Sequence, residues 1–270
     1  MSEEANLYAY LKRINYAGSI APTLATLEML HRLHPAAIPF ENLNPLLELP
    51  VRLQLSDLEQ KLIVERRGGY CFEHNLLFKA VLEAMDFPVT GLAAGVLWNR
   101  TEPSAPGLNH MALLVDVGGV PYLADVGFGG QVMTAPLRLK AGIEQETPNE
   151  RYRLSGGEPM WRLESEIGGL WKPLYQFELT PRTLEDYVGY NDGTMTLFKD
   201  DLFAARVEGP RRHALSNTRY NLHEGGMTTT RMLGSVAELR EVLSGPFGIA
   251  LPDTERLDVA LARVLTEASA

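Results

Sequence analysis

The chain contains a single cysteine, Cys71, in a setting that suits a nucleophilic thiol. It follows Gly68-Gly69-Tyr70 and precedes a run whose apolar residues recur at helical spacing, which predicts that it lies at a helix N-terminus. Unpaired backbone N–H groups and the positive end of the helix dipole stabilise a thiolate there, and the same amides can receive an oxyanion. Because free cysteines are also common as small buried hydrophobic residues, a catalytic role requires a base nearby.

A β-hairpin is predicted around Gly118-Gly119, which separates apolar runs at residues 109–117 and 120–126. With the two glycines as the loop, Val117 faces Val120. This pairing sets the register of both strands, because side chains alternate between the two faces of a sheet. The positions that share a face can therefore be read from the sequence.

The register brings a histidine and an aspartate together on one face of the hairpin. Asp125 lies opposite Ala112, and His110 lies two residues away on the same side. Such diagonal neighbours lie roughly 7–8 Å apart at the backbone, within reach of a hydrogen bond between carboxylate and imidazole. An aspartate held in this way fixes the imidazole tautomer and directs the other nitrogen to a nucleophile. Cys71, His110 and Asp125 are therefore predicted to form a catalytic triad.

Three other histidines compete for a chemical role. His74 lies one helical turn after Cys71 and shares its face, but no carboxylate is predicted beside it. His31 and His34 have a His-x-x-His spacing without a nearby carboxylate or cysteine to complete a metal site. We expect those two to be solvated or packed within a helix, and we predict no metal.

The bulk composition argues against several kinds of partner. A formal net charge of −9 disfavours nucleic acid, because phosphate binding depends on clusters of lysine and arginine. One cysteine cannot form an internal disulfide, and a lone thiol suits a reducing cytoplasm. The acidic first residues do not match a secretory signal, and no apolar run approaches the ~20 residues of a membrane span. We expect a cytoplasmic protein that does not bind membranes; its oligomeric state is not indicated.

Three stretches of different composition must position the triad. Residues 1–86 show helical periodicity, residues 87–190 are rich in β-branched segments between glycines and prolines, and residues 191–270 are mixed. Capping-box patterns beginning at Ser56 and Ser235 each predict a helix start. Because no repeat or long linker separates the stretches, we expect an α+β protein whose three parts pack as one body.

Three segments around the predicted triad closely resemble the arylamine N-acetyltransferase family. They read RGGYCFEHN at residues 67–75, NHMAL at 109–113 and DVGFG at 125–129. The resemblance is specific in residues, spacing and order. It extends to residues 38–43, 202–206 and 217–223, and so covers most of the chain.

This resemblance implies an N-terminal helical bundle, a central antiparallel β-barrel and a C-terminal α/β lid. It also implies a Cys-His-Asp triad that is acetylated by acetyl-CoA and is then attacked by an arylamine, an arylhydrazine or a hydrazide. Acetyl-CoA would be the acyl donor, with no metal and no redox cofactor. A local site must then hold the anionic donor against the overall negative charge.

The resemblance also assigns binding residues. By similarity, Phe40, Phe128 and Phe198 line the acceptor pocket. Many bacterial members carry a Ser-rich stretch ending in His-Phe where this chain reads TMTLF at residues 194–198, which bears on acceptor preference. The donor residues implied by similarity are Trp98 and Asn109 at the border of the cleft, and Gly127, Phe128 and Gly129 along the CoA chain.

Other functions fit the same triad. A thioester hydrolase or transglutaminase-like enzyme uses the same three residue types, and it would turn over acyl-CoA without an amine. An amide synthase of natural-product assembly shares the family's motifs but takes a carrier-bound polyketide, which a narrow acetyl-CoA site would exclude. A module that binds CoA or an aromatic ligand would need only an inactive triad, and retention of all three residues argues against it.

Overall fold

The computed structural model describes residues 4–100 and 107–267 of the chain. The first three residues of the acidic N-terminal run lie outside the described residues. The N-terminal part is helical, as predicted from its periodicity. Its helices are α1 (Leu7–Arg13), α2 (Leu24–Ala37), α3 (Leu43–Leu46), α4 (Leu55–Glu59) and α5 (Cys71–Glu83).

Short side chains mark the starts of two of these helices. Asn6 accepts from the backbone N–H of Ala9 at the start of α1, and Thr23 accepts from that of Thr26 at the start of α2. The capping box predicted at Ser56 is wrong, because α4 begins one residue earlier and Ser56 lies inside its first turn. Helix α4 then runs directly into a π-helical turn, Gln60–Val64.

The middle of the chain forms an antiparallel sheet that is nearly closed into a barrel. Within the described residues the sheet has eight strands in the order β5-β4-β3-β2-β9-β8-β7-β6. Its strands are β2 (Val89–Val96), β3 (His110–Val117), β4 (Val120–Ala124), β5 (Leu137–Arg138), β6 (Glu144–Glu146), β7 (Arg151–Gly157), β8 (Met160–Ile167) and β9 (Leu170–Pro181).

The two outer strands of this sheet meet through side chains rather than through a backbone ladder. Gln145 of β6 accepts from the backbone N–H of Arg138 of β5 at 2.8 Å and donates to its carbonyl at 3.0 Å. The barrel interior is filled by apolar residues such as Leu123, Leu163 and Leu174. Joining the edges shields backbone groups that would otherwise be open to pairing with another chain.

The C-terminal part is a second antiparallel sheet covered by helices. Its order is β1-β10-β11-β12-β13, so a strand from the helical part, β1 (Phe40–Glu41), forms one edge. The other elements are α6 (Leu184–Leu197), β10 (Phe203–Glu208), β11 (Arg211–Ser216), β12 (Arg219–Glu224), β13 (Met227–Met232), α7 (Val236–Ser244) and α8 (Glu255–Glu267). Ser235 caps α7, as its capping-box pattern predicts.

Strand β1 joins the helical part to this sheet. Phe40 pairs with Ala205 and Glu41 pairs with Ala204 of β10. Phe40 also bridges to Gly69 of the segment before α5, so the sheet edge and the predicted nucleophile are neighbours. In the part of the chain that the structure describes, no helix has both the length and the apolar character needed to cross a bilayer.

Candidate active site

Cys71 is the first residue of α5, as predicted from the pattern that follows it. The turn that carries it is held by Glu73, whose carboxylate accepts from the backbone N–H of Tyr70 at 3.0 Å. Lys61 reaches the other oxygen of Glu73 at 2.7 Å, so this buried carboxylate has a charged partner. Only 4% of the Cys71 surface is exposed. The thiol therefore sits at a braced, mostly enclosed helix start.

Two glycines are required by close approaches around this cysteine. A Cβ atom at Gly68 would lie 2.1 Å from the carbonyl oxygen of Pro39. A Cβ atom at Gly127 would lie 2.8 Å from the Cα of Cys71 itself. Both distances are far below van der Waals contact, so the backbone packs this closely around Cys71 only because these side chains are absent.

The hairpin has the register predicted from the sequence. Val117 pairs with Val120 and Leu113 pairs with Ala124, with Gly118-Gly119 at positive φ between the strands. His110 Nε2 lies 2.7 Å from Asp125 Oδ2, which matches the predicted diagonal contact. Both side chains are buried.

Asp125 accepts from donors on three sides. In addition to His110, its Oδ1 atom accepts from Asn75 Nδ2 and from the backbone N–H of Gly127, each at 2.9 Å. Burial alone raises the pKa of a carboxylate, but the charge of His110 and these hydrogen bonds hold the pKa of Asp125 below its usual value. The carboxylate is therefore ionised at neutral pH and is held by hydrogen bonds to both of its oxygens.

His110 lies between the carboxylate and the thiol. Burial alone would lower its pKa, but the charge of Asp125 and hydrogen bonds with Asp125 and Cys71 outweigh burial and raise the pKa to about 10. Because Nε2 faces Asp125, Nδ1 is the nitrogen left for Cys71. The rings of Phe128 and Tyr175 flank the imidazole, with centroids 5.1 Å and 4.8 Å away.

The residues expected by similarity to bind the acyl donor, acetyl-CoA, fall into two groups. Gly127 packs on Cys71, Phe128 packs on His110, and the carbonyl of Asn109 lies 3.7 Å from Cys71 Sγ. The Asn109 side chain accepts from the backbone N–H of Val96 instead of facing the thiol. Trp98 packs against the barrel core in the turn after β2. The structure thus brings Gly127, Phe128 and the Asn109 carbonyl next to Cys71 or His110, and it places Trp98 at the barrel.

Two of the three aromatic residues expected at the acceptor pocket lie together, whereas Phe128 packs against His110. The rings of Phe40 and Phe198 are 6.2 Å apart in an edge-to-face arrangement, and a Cβ at Gly129 would touch the Phe40 ring at 3.5 Å. Phe198 follows the last residue of α6, where Asn42 donates to its carbonyl at 2.9 Å. Thr194 is buried within α6 and bonds to the carbonyl of Tyr190.

His74, the alternative base, is bonded away from the thiol. Its Nδ1 lies 2.8 Å from His34 Nε2, and its Nε2 lies 3.0 Å from the carbonyl oxygen of Gly69. His31 and His34 are buried rather than solvated, and His31 Nε2 accepts from the backbone N–H of Asp125 at 3.1 Å. Among residues 4–100 and 107–267, no three His, Cys, Asp or Glu side chains converge as metal ligands would.

Asn75 is a site residue that sequence reasoning missed. Besides Asp125, it donates to the carbonyl of Met111 at 2.7 Å and accepts from the backbone N–H of Val126 at 3.1 Å. It lies one turn of α5 after Cys71, a position that predicts the same helix face but not a bond to the hairpin. A polar residue within an otherwise apolar stripe was the available signal.

The sequence pattern of the N-acetyltransferase family matches residues 23–256. An arylamine N-acetyltransferase of Mycolicibacterium smegmatis is 39% identical over 94% of this chain and 95% of its own length. The Salmonella typhimurium protein named arylamine N-acetyltransferase / N-hydroxyarylamine O-acetyltransferase is 37% identical over 92% of this chain and 90% of its own.

Solved structures agree with these relatives. The Mycobacterium marinum arylamine N-acetyltransferase in complex with CoA superimposes with a TM-score of 0.92 at 36% identity, covering 96% of this chain and 99% of that chain. The match spans all three parts of the fold and nearly the full length of each protein. With its sequence pattern, its relatives and its fold in agreement, this chain belongs to the arylamine N-acetyltransferase family of acyltransferases.

Proposed function

We propose that this enzyme transfers an acetyl group from acetyl-CoA to an arylamine, an arylhydrazine or a hydrazide through an acetyl-Cys71 intermediate. The observation that carries the proposal is the position of His110, which lies 2.7 Å from Asp125 with its second nitrogen left for Cys71. A thiol, a base and an orienting carboxylate in this order form the catalytic unit of covalent acyl transfer. The relatives named above support the choice of acyl group and acceptor.

In the first half of the cycle, the Cys71 thiolate attacks the thioester carbonyl of acetyl-CoA. A new S–C bond forms to Cys71 and the S–C bond to CoA breaks, while the His110 imidazolium gives its Nδ1 proton to the departing CoA sulfur. His110 is then neutral and Cys71 is acetylated. We place the developing oxyanion at the unpaired backbone N–H groups of the first turn of α5.

In the second half, the amine nitrogen attacks the carbonyl carbon of acetyl-Cys71. The C–N bond forms, the bond to Cys71 breaks, and His110 takes the proton that the amine must lose. The products are the amide and the original thiolate and imidazolium, so the cycle balances. Asp125 keeps Nε2 protonated throughout, which leaves Nδ1 as the atom that gives and takes the proton.

The binding residues follow from the same geometry. We place the thioester end of the donor beside Gly127, Phe128 and the Asn109 carbonyl, because these lie against Cys71 or His110. We place the aromatic acceptor against Phe40 and Phe198, with Phe128 at the boundary between the two. The outer part of CoA, near Gly129 and Trp98, is assigned by similarity alone.

The helical part (1–86), the barrel (87–190) and the lid (191–270) are proposed as the units of this organisation. The first supplies the nucleophile, the second supplies the base and its carboxylate, and the third supplies Phe198. A catalytic thiol that must stay reduced fits a cytoplasmic location.

A second acceptor class is favoured by one observation. The Salmonella typhimurium relative is named for O-acetylation of N-hydroxyarylamines as well as for N-acetylation. The proposed second half-reaction accommodates a hydroxylamine oxygen, because His110 needs only a nucleophile with a proton to lose. We propose this as a side activity of the same acetyl-Cys71.

Intact-mass measurement after mixing with acetyl-CoA tests the proposal. We expect one acetyl adduct on the wild-type protein, which disappears when an arylamine is added and acetyl-arylamine appears. Cys71→Ala and His110→Ala are expected to gain no adduct, whereas His223→Ala in strand β12 of the lid serves as a histidine control and is expected to gain it. Acetylation of an arylamine without any acetyl-protein would rule out the covalent mechanism.

The same experiment separates the competing functions. A thioester hydrolase would lose the adduct to water without an amine, and an amide synthase for carrier-bound chains would not form it from acetyl-CoA. A module with an inactive triad would bind CoA and gain no mass. Each of these outcomes differs from an adduct that persists until an amine arrives.

A further inference from the structure

A buried chain of polar side chains crosses the helical part and ends at the segment before Cys71. Tyr10 Oη lies 2.8 Å from His34 Nδ1, and His34 Nε2 lies 2.8 Å from His74 Nδ1. His74 Nε2 then lies 3.0 Å from the carbonyl oxygen of Gly69 and 3.2 Å from that of Pro39. All three side chains are buried, yet none of them is used in the proposed reaction.

The contact between His74 and the two carbonyl oxygens determines where the proton lies in each hydrogen bond of this row of side chains. Both carbonyl oxygens can only accept, so His74 Nε2 must carry a hydrogen. His74 Nδ1 is then an acceptor, which requires His34 Nε2 to donate and leaves His34 Nδ1 to accept from the hydroxyl of Tyr10. The hydrogen bonds therefore all run in one direction: Tyr10 of α1 donates to His34 of α2, His34 donates to His74 of α5, and His74 donates to the two carbonyls.

This arrangement holds only while both imidazoles are neutral. A proton on His74 Nδ1 would oppose the N–H of His34, and a proton on His34 Nδ1 would oppose the Tyr10 hydroxyl. Burial lowers the pKa of His74 to about 4 and holds the pKa of His34 well below its usual value. The charged groups facing His74 are Lys61 and Glu41, and Arg13 faces His34 together with the neighbouring His31.

The two carbonyls that accept the hydrogen bond from His74 belong to segments next to residues of the proposed site. Pro39 precedes Phe40, whose ring lies beside Phe198, and Gly69 lies two residues before Cys71. The backbone links between them are Glu41 N–H to Gly69 at 2.8 Å and a longer one from Gly69 N–H to Pro39 at 3.4 Å. His74 is a donor that touches both carbonyls at once.

We propose that His34 and His74 are positioning residues of the transferase, holding the Gly69 and Pro39 carbonyls so that Cys71 and the Phe40 ring keep their spacing. This inference rests on the proposed function, in which Cys71 is the nucleophile and Phe40 contacts the acceptor. His34 acts only through His74, by fixing the tautomer that donates to the carbonyls. The hydrogen bonds that satisfy these buried imidazoles end on the Pro39 and Gly69 carbonyls, and so they also fix the two segments next to Phe40 and Cys71.

Alkylation of Cys71 by iodoacetamide tests this at the nucleophile without acetyl-CoA or amine, so it does not depend on the identity of the substrates. His34→Leu removes the donor to His74, while His34→Gln keeps an amide N–H at the same distance along the side chain. His223→Leu in the lid is the matched control for loss of a histidine. Thermal melting of each variant shows whether it is folded.

We expect the alkylation rate to fall about tenfold or more in folded His34→Leu and to stay within about threefold of wild type in His34→Gln and His223→Leu, because small displacements of a reacting atom are costly. Rescue by glutamine separates positioning from bulk packing, since the two substitutions at His34 differ in the hydrogen bond. A folded His34→Leu protein that alkylates as fast as wild type would overturn the proposal.

Nitrogen NMR of the unmodified protein provides a test that needs no variant. Two neutral imidazoles protonated at Nε2, assigned to His34 and His74, are expected at pH 7. Either ring found in the Nδ1–H form or as imidazolium would overturn the proposed direction of the chain. If both tautomers and the alkylation pattern were as expected but no acetyl transfer occurred, the result would count against the proposed function alone.

Discussion

Asn75 Nδ2 donates to Asp125 Oδ1 at 2.9 Å and so joins helix α5, which begins at Cys71, to the hairpin that carries His110. The same amide group donates to the carbonyl of Met111 and accepts from the backbone N–H of Val126. One side chain thus holds strand β3 and the segment just after β4 against the start of α5. We expect the spacing between Cys71 and His110 to depend on this bridge, because the two residues belong to separate parts of the fold.

Replacing Asn75 with alanine is expected to weaken both the fold and the site. Two buried backbone groups lose their partner, each costing about 1–3 kcal/mol, and Asp125 loses one of its donors. We expect the free energy of unfolding to fall by about 2–5 kcal/mol and the rate of Cys71 acetylation to fall by about 100-fold. Denaturant unfolding and rapid-mix mass spectrometry measure the two effects.

The control for this variant is Asn149→Ala, which removes one bond to the carbonyl of Gly209 at the surface. It is expected to change the free energy of unfolding by less than about 0.5 kcal/mol. If Asn75→Ala matched this control in both stability and acetylation rate, the bridge would have no role in positioning the triad.

The charge of His110 is expected to set it apart from every other histidine in the chain. Its pKa is raised to about 10, while burial lowers the pKa of His31 and His74 to about 4. At pH 7 we expect NMR to show His110 as imidazolium and the other two as neutral rings. A neutral His110 at pH 7 would contradict the proposed thiolate and imidazolium resting state.

The same shift predicts how stability depends on pH. Because the pKa of His110 is higher in the folded protein than the ordinary value of 6.5, its stabilising contribution is complete below pH 6.5 and is lost as pH rises through about 10. The difference in free energy of unfolding between wild type and His110→Gln should therefore shrink over that interval. A difference that stayed constant or grew with pH would contradict the assignment.

The contact between His110 and Asp125 could be predicted because it follows from local rules. A two-residue glycine loop and the alternation of side chains fix which residues of a hairpin are neighbours, and the structure has that register. Ser235 and Ser56 show the limit of such rules. Both match a capping box, but only Ser235 caps its helix, because the helix near Ser56 begins one residue earlier.

The contacts that Asp125 of the proposed triad makes with distant helices could not be predicted from such local rules. Asn75 and His31 reach Asp125 from helices, and each lies far from it along the chain. Pairing of β1 with β10 likewise joins distant segments, and a two-residue strand is too short to show alternation. Such contacts depend on how the parts pack, which neither periodicity nor turn residues specify.

Gly127 offers a steric test of the surroundings of Cys71, the proposed nucleophile. A Cβ at this position would lie 2.8 Å from the Cα of Cys71 and 3.0 Å from Asn75 Nδ2, and neither backbone nor bridge can yield without moving the site. We expect Gly127→Ala to reduce the acetylation rate of Cys71 by about 100-fold, since displacement by a fraction of an ångström misaligns reacting atoms.

Gly189→Ala is the matched control for that substitution. Gly189 lies in α6 with nothing within 4 Å of its added Cβ, so alanine should raise the free energy of unfolding by about 0.5–1 kcal/mol without loss of activity. Equal acetylation rates in the two alanine variants would show that the contact between Gly127 and Cys71 can relax.

Arg212 of β11 connects the lid to the barrel segment that follows the proposed donor site. Its buried guanidinium bonds to both carboxylate oxygens of Glu150 and donates to the carbonyl of Val132 at 2.8 Å. Arg212→Met leaves Glu150 without its cation, and we expect the free energy of unfolding to fall by about 3–5 kcal/mol.

The double variant Arg212→Met with Glu150→Gln separates the pair from the packing. Removing both charges should recover part of the loss, because the uncompensated carboxylate is the main penalty in the single variant. Both variants lack the hydrogen bond from Arg212 to the carbonyl of Val132, which lies close to Gly129. Any rise in the KM for acetyl-CoA in the single variant should therefore persist in the double variant. Full recovery of that KM would show that the charge of Glu150, rather than the anchored segment, affects donor binding.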